Sequence, residues 1–159
     1  MNIELLLDKF VEQSKVLKEK LKGINEEALN FRPFIDGAWT IQEHFIHLVD
    51  SEINAFLRFK TILAESGKEV SVIDEEKWIK GIESHRISAE QYLIVFDLLR
   101  ILAKDYLRGI SQNIWDQSYI IHPQAGKVTL LQWLEAYIKH VEDHLEYIDR
   151  NLDIYSSGV

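Results

Sequence analysis

The sequence predicts an all-α protein in which four long helices pack as a bundle, and three observations support this prediction. Two prolines and seven glycines in 159 residues leave long stretches without a helix breaker. Apolar residues recur at helical steps in four segments of about 20 residues each. Capping-box patterns at 40–43, 88–91 and 129–132 mark the starts of three of these segments.

The first half of the chain holds two of the predicted long helices. The first covers residues 3–21 and ends before Gly23. Asn25 is a candidate cap for a short turn, and residues 30–39 form a loop because they contain proline and glycine. The second long helix is predicted over residues 40–65.

The middle of the chain is less regular and then strongly apolar. Asp74 is predicted to cap a short helix within the irregular residues 68–84. The third long helix covers residues 88–107 and is apolar on nearly every side. Such a helix is either central in its own fold or covered by a partner subunit.

The last part of the chain is a connection followed by the fourth long helix. Residues 118–121 can be extended, and residues 122–126 read as a turn. The last helix is predicted over residues 129–152. Because no linker separates parts of the chain, residues 1–159 are predicted to form a single domain.

Composition and charge exclude several classes of function. The formal net charge of −8 argues against a nucleic-acid surface, which needs clustered lysine and arginine. The absence of cysteine excludes disulfides and thiolate metal sites. No apolar run approaches the length of a membrane span, and acids stand near the N-terminus where a signal peptide carries basic residues. We therefore expect a cytoplasmic protein without a membrane partner.

The most informative feature of the fourth predicted helix is its histidine pair. His140 and His144 are four residues apart, so their side chains lie above one another on one helix face. Trp133 and Tyr137 continue the same face, which is therefore expected to point into the core. A buried imidazole needs a polar partner, and one metal ion would satisfy both rings.

A third histidine strengthens the hypothesis of a metal site. His47 lies in the middle of the second predicted helix, near the edge of the apolar side marked by Phe45 and Leu48. If the second and fourth helices are neighbours, three imidazoles converge and leave open positions for water, which is typical of a catalytic metal site. Zinc or nickel is the favoured ion, with iron, manganese and copper as alternatives.

The histidines also have interpretations that need no metal. His140 and His144 can be buried histidines that are hydrogen-bonded to their neighbours. His44 is one helical turn before His47 and is a competing candidate ligand, but we interpret it as a surface or interface residue.

Glu43 has two interpretations as well. Closing the capping box with Thr40 is favoured, because the local spacing alone explains it. The alternative is that Glu43 points along the face of His47, as a hydrogen-bond partner that orients a ligand or as a catalytic base. His122 starts the predicted turn and can lie near the mouth of the site or simply in a loop, and His85 is expected to be solvated.

Two segments resemble the DinB/YfiT-like superfamily. The first is WTIQEHFIHLVDSE at 39–52, with a Trp-Ser/Thr opening and a His-Leu-x-Asp pattern at 47–50. The second is the His-Pro turn at 122–126, which is followed by Thr-Leu-x-x-Trp-Leu at 129–134 and by His-x-x-x-His at 140–144. The resemblance covers most of the chain, and the two segments follow one another in the same order as in the family.

The resemblance implies a fold, a site and two activities. The fold is an up-down-down-up four-helix bundle, often dimeric, with a divalent metal held by His47, His140 and His144. Members are similar to metal-dependent hydrolases or to thiol S-transferases that use a low-molecular-weight thiol, and the analogy slightly favours thiol transfer. The sequence thus predicts a metal-dependent enzyme that acts on a small molecule.

Two other classes of protein remain as alternatives to a metal-dependent enzyme, and the sequence also predicts an oligomeric state. The rivals are a non-enzymatic protein that binds metal or a small ligand, and a purely structural bundle with satisfied core histidines. We expect a homodimer whose contact includes part of the third helix or of the second. The candidate contact residues on the second helix are Ile46, Val49, Ile53 and Leu57.

Overall fold

The computed structural model describes residues 2–158, and within them the chain forms seven α-helices, one 3₁₀ turn and one β-hairpin. The four long helices confirm the predicted all-α bundle, and short elements join them. The helices are α1 (Ile3–Lys22), α2 (Glu26–Asn30), α3 (Ile41–Ala64), α4 (Glu75–Gly81), α5 (Ala89–Leu107), α6 (Gln112–Gln117) and α7 (Leu130–Ser157). The strands are β1 (Tyr119–His122) and β2 (Gly126–Thr129), and the 3₁₀ turn is Ser84–Arg86.

Side-chain caps fix the starts of the two helices that carry the histidines. At α3, the Thr40 hydroxyl accepts the backbone N–H of Glu43, whose carboxylate accepts the backbone N–H of Thr40. At α7, Thr129 and Gln132 form the same reciprocal pair. Two of the three predicted capping boxes are thus confirmed; at α5 the Ser88 hydroxyl accepts the backbone N–H of Gln91 without the reciprocal bond. Helix α7 runs to Ser157, past its predicted end.

The four long helices form a square in which α1 and α3 each pack against α5 and α7. Helices α1 and α7 run parallel, α3 and α5 run parallel, and α1 runs antiparallel to α5, which is the up-down-down-up topology. Each direction follows from the order of two contacts along a pair of helices. Helices α1 and α7 are joined by Gln13 with Ile138 and Lys20 with Asp149, and α3 and α5 by Glu52 with Arg100 and Phe56 with Tyr106. Helices α1 and α5 are joined by Asp8 with Lys104 and Lys18 with Asp97.

A buried ion pair ties the long helices together inside the core. Arg100 on α5 is fully buried and donates to the carboxylate of Glu52 on α3, which is also buried. Its other donors reach the Gln13 side chain and the carbonyl oxygens of Phe10 and Tyr137. Because the guanidinium is bonded in every direction, the burial of its charge is compensated.

The structure excludes one of the two alternatives that the sequence left open for α5. It buries Leu93 and Phe96 but leaves Ile94, Leu98 and Leu102 more than half exposed, so it is not central within this chain. An apolar helix with a bare face needs a cover, and a partner subunit as that cover remains a prediction. Despite this apolar character, no helix within residues 2–158 has the length and composition that a membrane crossing requires.

The outer face of α3 also differs from the expectation. Ile46 and Val49 are buried in the core of this chain, so they cannot line a contact with a second subunit. All of residues 41–49 are buried, so the first two turns of α3 have no outer face on which a second subunit could pack. Ile53 and Leu57 are exposed and remain candidates for such a contact.

Candidate metal centre

Three histidine rings meet where α3 crosses the middle of α7. The Nε2 atoms of His47 and His140 are 3.0 Å apart. The ring of His144 lies 4.5 Å from the ring of His140 and 4.7 Å from that of His47, between centroids. One nitrogen from each of the three residues, which we call the histidine cluster, lies within 4.8 Å of the other two. The rings thus converge as expected from the sequence, whereas metal binding by them stays a prediction.

Local sequence explains this convergence. The cap at Thr40 starts α3 so that His47 falls two turns into the helix. The cap at Thr129 starts α7 so that His140 and His144 point to the same side. Because α3 and α7 run antiparallel, the first half of α3 faces the middle of α7.

His44 is the residue that the sequence misplaced. We interpreted it as a surface or interface residue, but its side chain is only 4% exposed and its Nδ1 atom lies 2.9 Å from Nδ1 of His144. Its burial has a tertiary cause, since Trp39 of the preceding loop and His144 and Tyr147 of α7 pack on its ring. Helical spacing along α3 does not reveal these covering elements.

Burial keeps all four histidines neutral at neutral pH. Desolvation lowers the pKa of His44 to about 4 and that of His140 to about 4, with smaller effects from Arg150 and Arg100 respectively. Desolvation and the neighbouring rings lower the pKa of His47 to about 3, and they lower that of His144 as well. Neutral imidazoles keep the lone pairs that metal ions bind, so the electrostatics suit ligation.

One pair of donors already has the spacing that binding to one divalent ion requires. Two nitrogens bound at about 2.0–2.1 Å to one zinc ion lie about 3.0–3.4 Å apart in common geometries. The separation of 3.0 Å between the Nε2 atoms of His47 and His140 falls in this range. A set of three imidazoles without a thiolate suits ions of intermediate hardness such as zinc and nickel.

Trp39 forms an aromatic wall on one side of the cluster. Its ring lies 4.8 Å from the His47 ring and stacks at 6.1 Å on the His144 ring, between centroids. Its carbonyl oxygen accepts a hydrogen bond from the Asn151 side chain, which fixes the backbone there. Trp39 stands just before the cap of α3, and this local position did not indicate a place at the site.

Glu75 is a site residue that the sequence did not single out. Its Oε2 atom lies 3.8 Å from Nε2 of His47, and burial raises the pKa of its carboxyl group. It belongs to the first turn of α4, which Asp74 caps as predicted. Acids are common in the first turn of any helix, so the sequence carries no signal that separates Glu75 from a dipole-stabilising residue.

Glu43 closes the capping box and also binds an arginine. One carboxylate oxygen accepts the backbone N–H of Thr40 at 2.8 Å, and the other accepts from Arg32. The capping interpretation is confirmed. The catalytic interpretation of Glu43 stays a prediction, although both of its carboxylate oxygens already have partners.

The cluster opens into a cavity of about 520 Å³. Glu75 and Glu76 separate it from a second cavity of about 620 Å³, which Trp133 and Tyr137 line. The Tyr137 ring contacts the His140 ring at 5.8 Å between centroids, so the two cavities meet beside the cluster. A molecule with an extended apolar part therefore has room next to the histidines.

The other two histidines lie outside the cluster. His122 lines the second cavity beside Trp133, and its Nδ1 atom accepts the backbone N–H groups of Gln124 and Ala125 in the hairpin turn. His85 is exposed, as expected. Among the residues described, His122 is thus a neighbour of the site rather than part of the cluster.

Fold and site together define a helical-bundle protein with a histidine cluster between two of its long helices. A family model described as the DinB superfamily matches residues 9–148. This match covers most of the chain, which therefore belongs to the DinB superfamily. The family resemblance noted in the sequence is confirmed.

Relatives from bacteria carry names that include a metal. A protein of Bacillus licheniformis is 24% identical over 133 residues, which are 84% of this chain and 75% of that protein. A protein of Geobacillus kaustophilus is 28% identical over 128 residues, which are 80% of this chain and 71% of that protein. Each of these two proteins bears the name "putative metal-dependent hydrolase".

A solved structure supports the fold directly. YfiT from Bacillus subtilis, described as a probable metal-dependent hydrolase with an unusual four-helix bundle topology, matches with a TM-score of 0.85. The two chains are 24% identical, and the match covers 93% of this chain and 84% of YfiT. The comparison shows a common fold and so confirms the predicted bundle.

Proposed function

We propose that this protein is a metal-dependent hydrolase of a small organic molecule, with His47, His140 and His144 as the ligands of one divalent ion. The observation that carries the proposal is the meeting of three neutral imidazoles in the lining of a cavity. The names of the relatives point to the same class of reaction.

The number of ligands favours a catalytic site over a structural one. Structural zinc sites are closed by four protein ligands, whereas catalytic sites use three and leave a position for water or substrate. An ion held here would supply Lewis acidity, which activates water and polarises the group that is attacked. We propose zinc or nickel, because both bind imidazole nitrogen well.

Glu75 is proposed to handle the proton in this reaction. Its carboxylate stands at the edge of the cluster, within 3.8 Å of Nε2 of His47. Burial raises the pKa of its carboxyl group, which brings the group nearer to the range in which a general base works at neutral pH. Glu75 also borders both cavities, so it can reach a substrate that lies across them.

The second cavity is proposed to hold the part of the substrate that does not react. Trp133 and Tyr137 supply flat apolar surface, and Arg58 supplies a cation at the wall. These features favour a substrate with an apolar body and at least one polar acceptor.

The proposal is tested by hydrolysis assays with and without metal. The purified chain is stripped with a chelator, reloaded with zinc or with nickel, and assayed against ester, amide and phosphoester panels. A parallel panel of thiols with electrophiles tests the thiol transfer that the family resemblance favours. Metal-dependent turnover in the hydrolysis panel supports the proposal, and turnover confined to the thiol panel contradicts it.

Glu75→Gln isolates the proposed proton transfer. Loss of a general base is expected to lower kcat by about 10²–10⁴-fold while metal content stays unchanged. Glu83→Gln is the matched control, because Glu83 is an exposed acid that pairs with Arg86. Equal kcat in both variants and in the wild type would remove Glu75 from the mechanism.

A further inference from the structure

We infer that His44 is a positioning residue for the metal site. His44 accepts a hydrogen bond from Nδ1 of His144, and this bond turns the Nε2 atom of His144 toward His47 and His140. The inference rests on the proposed function, because it concerns a ring that the proposal makes a ligand. His44 lies outside the histidine cluster itself.

The contact is close and well enclosed. The Nδ1 atoms of His44 and His144 are 2.9 Å apart, and the two side chains are 4% and 7% exposed. The rings meet edge to face at 65°, a geometry in which a nitrogen of one ring can point at a nitrogen of the other. Trp39 and Tyr147 pack on the His44 ring from other directions, so the ring has little freedom to turn.

The tautomers of the two rings follow from this contact. Neutral imidazole carries one N–H and one lone pair, so a hydrogen bond between two such rings needs a donor in one and an acceptor in the other. The Nδ1 atom of His144 is taken by His44, which leaves Nε2 to bind a metal ion. A ring that binds metal through Nε2 carries its hydrogen on Nδ1, so His144 is the donor and Nδ1 of His44 is the acceptor.

His44 would then do for His144 what a carboxylate or a backbone carbonyl often does for a ligating histidine. Such a partner fixes the tautomer and the orientation of the ligand ring and makes the ligand more basic. An acceptor on the neighbouring helix is well suited to this task, because α3 also carries His47.

The Nε2 atom of His44 also indicates that a histidine stands at this position for its function. With Nδ1 as the acceptor, the hydrogen of His44 sits on Nε2, and this atom is buried without a hydrogen-bond partner among residues 2–158. An unpaired buried N–H costs free energy, so an apolar side chain would serve stability better at this position. The contact with His144 is what a histidine provides there and an apolar residue does not.

Zinc affinity of three variants tests the inference, measured by competition with a chromophoric chelator. His44→Phe keeps a ring but removes the acceptor, and it is expected to weaken zinc binding by about 10–100-fold. His44→Asn places an amide oxygen near the position of Nδ1 and is expected to restore affinity to within about threefold of the wild type. His85→Phe makes the same change at an exposed histidine and is expected to leave the affinity unchanged.

Nitrogen NMR of the histidine rings gives a readout that packing alone does not produce. In the zinc-loaded wild type we expect a protonated Nδ1 in His144, together with an unprotonated Nδ1 and a protonated Nε2 in His44. Signals are assigned with the His44→Asn variant. Protonation of Nδ1 in His44 would overturn the inference.

The remaining outcomes separate the inference from the proposed function. Equal zinc affinity in the wild type and in His44→Phe overturns the inference and leaves the proposed function standing. Complete loss of zinc in both His44→Phe and His44→Asn makes His44 a ligand, which also overturns the inference. A wild-type chain that binds no zinc and no nickel overturns both.

Discussion

The Nε2 atoms of His47 and His140 lie 3.0 Å apart, although the two residues are 93 positions apart in the chain. The contact joins α3 to α7 by two neutral rings, one of which must donate and the other accept. Once the donating ring has shifted its hydrogen to Nδ1, both Nε2 atoms offer a lone pair to one ion with little movement of the backbone. We therefore expect a site that is largely formed before metal binds.

Metal content is the first prediction. The wild type is expected to hold about one divalent ion per chain after dialysis, and His140→Ala combined with His144→Ala is expected to hold none, because one remaining imidazole binds too weakly. Elemental analysis by mass spectrometry measures both. His85→Ala should behave as the wild type, since His85 is exposed. Full metal content in the double variant would show that the ions bind elsewhere.

The second prediction concerns the stability of the metal-free protein in acid. Burial lowers the pKa of His44 and His140 to about 4 and that of His47 to about 3, whereas the unfolded chain keeps its histidines near pKa 6.5. At a pH between the folded and the unfolded pKa values, these histidines are protonated in the unfolded state and neutral in the folded state. The free energy of unfolding should therefore be flat above pH 6.5 and fall below it, by up to about 1.4 kcal/mol per pH unit for each histidine.

Urea unfolding at pH 7.5, 6 and 5 with a chelator present measures this slope. His140→Gln removes one buried titrating ring and should give a shallower slope than the wild type. His85→Gln removes an exposed ring and should leave the slope unchanged. Identical slopes for the wild type and His140→Gln would contradict the prediction.

The third prediction concerns the buried ion pair of Arg100 and Glu52. Arg100→Met leaves the Glu52 carboxylate buried without its cation, and we expect a loss of about 3–5 kcal/mol in the free energy of unfolding. Arg100→Met combined with Glu52→Met should recover part of this loss, because no buried charge remains. Lys9→Met is the control, since its pair with Glu142 is solvent-exposed and worth about 1 kcal/mol or less.

A double-mutant cycle by urea unfolding separates these contributions. A double variant that is less stable than Arg100→Met alone would argue that the Glu52 carboxylate has other favourable partners. The cycle also bears on the site, because Arg100 donates to the Tyr137 carbonyl, one turn before His140.

The helix starts were readable from the sequence because their signals are local. Thr40 and Thr129 each sit three residues before a glutamate or a glutamine, and the reciprocal hydrogen bonds form within that stretch. The pair His140 and His144 was readable for the same reason, since a spacing of four puts both rings on one face. His47 joined the pair once the second and fourth helices were taken as neighbours.

What the sequence did not reveal depends on contacts between distant elements. His44 is buried because Trp39 and residues of α7 pack on its ring, and Glu75 reaches the cluster because α4 packs against α3. Neither fact leaves a period or a motif along the chain. Helix α5 shows the same limit of a sequence pattern, because a run of apolar residues does not distinguish a core helix from a helix with an exposed outer face.

The last prediction concerns that bare face. Ile94, Leu98 and Leu102 follow one another at steps of four on α5 and are 51–55% exposed. Exposed apolar rows of this kind usually mark a contact with another protein, and a second copy of this chain is the expected partner. Light scattering coupled to size-exclusion chromatography should give the mass of a dimer, and Leu98→Glu should give that of a monomer. Leu57→Glu on α3 is the comparison: if it dissociates the dimer and Leu98→Glu does not, the contact lies on α3, and a wild type that is monomeric at all concentrations excludes the dimer altogether.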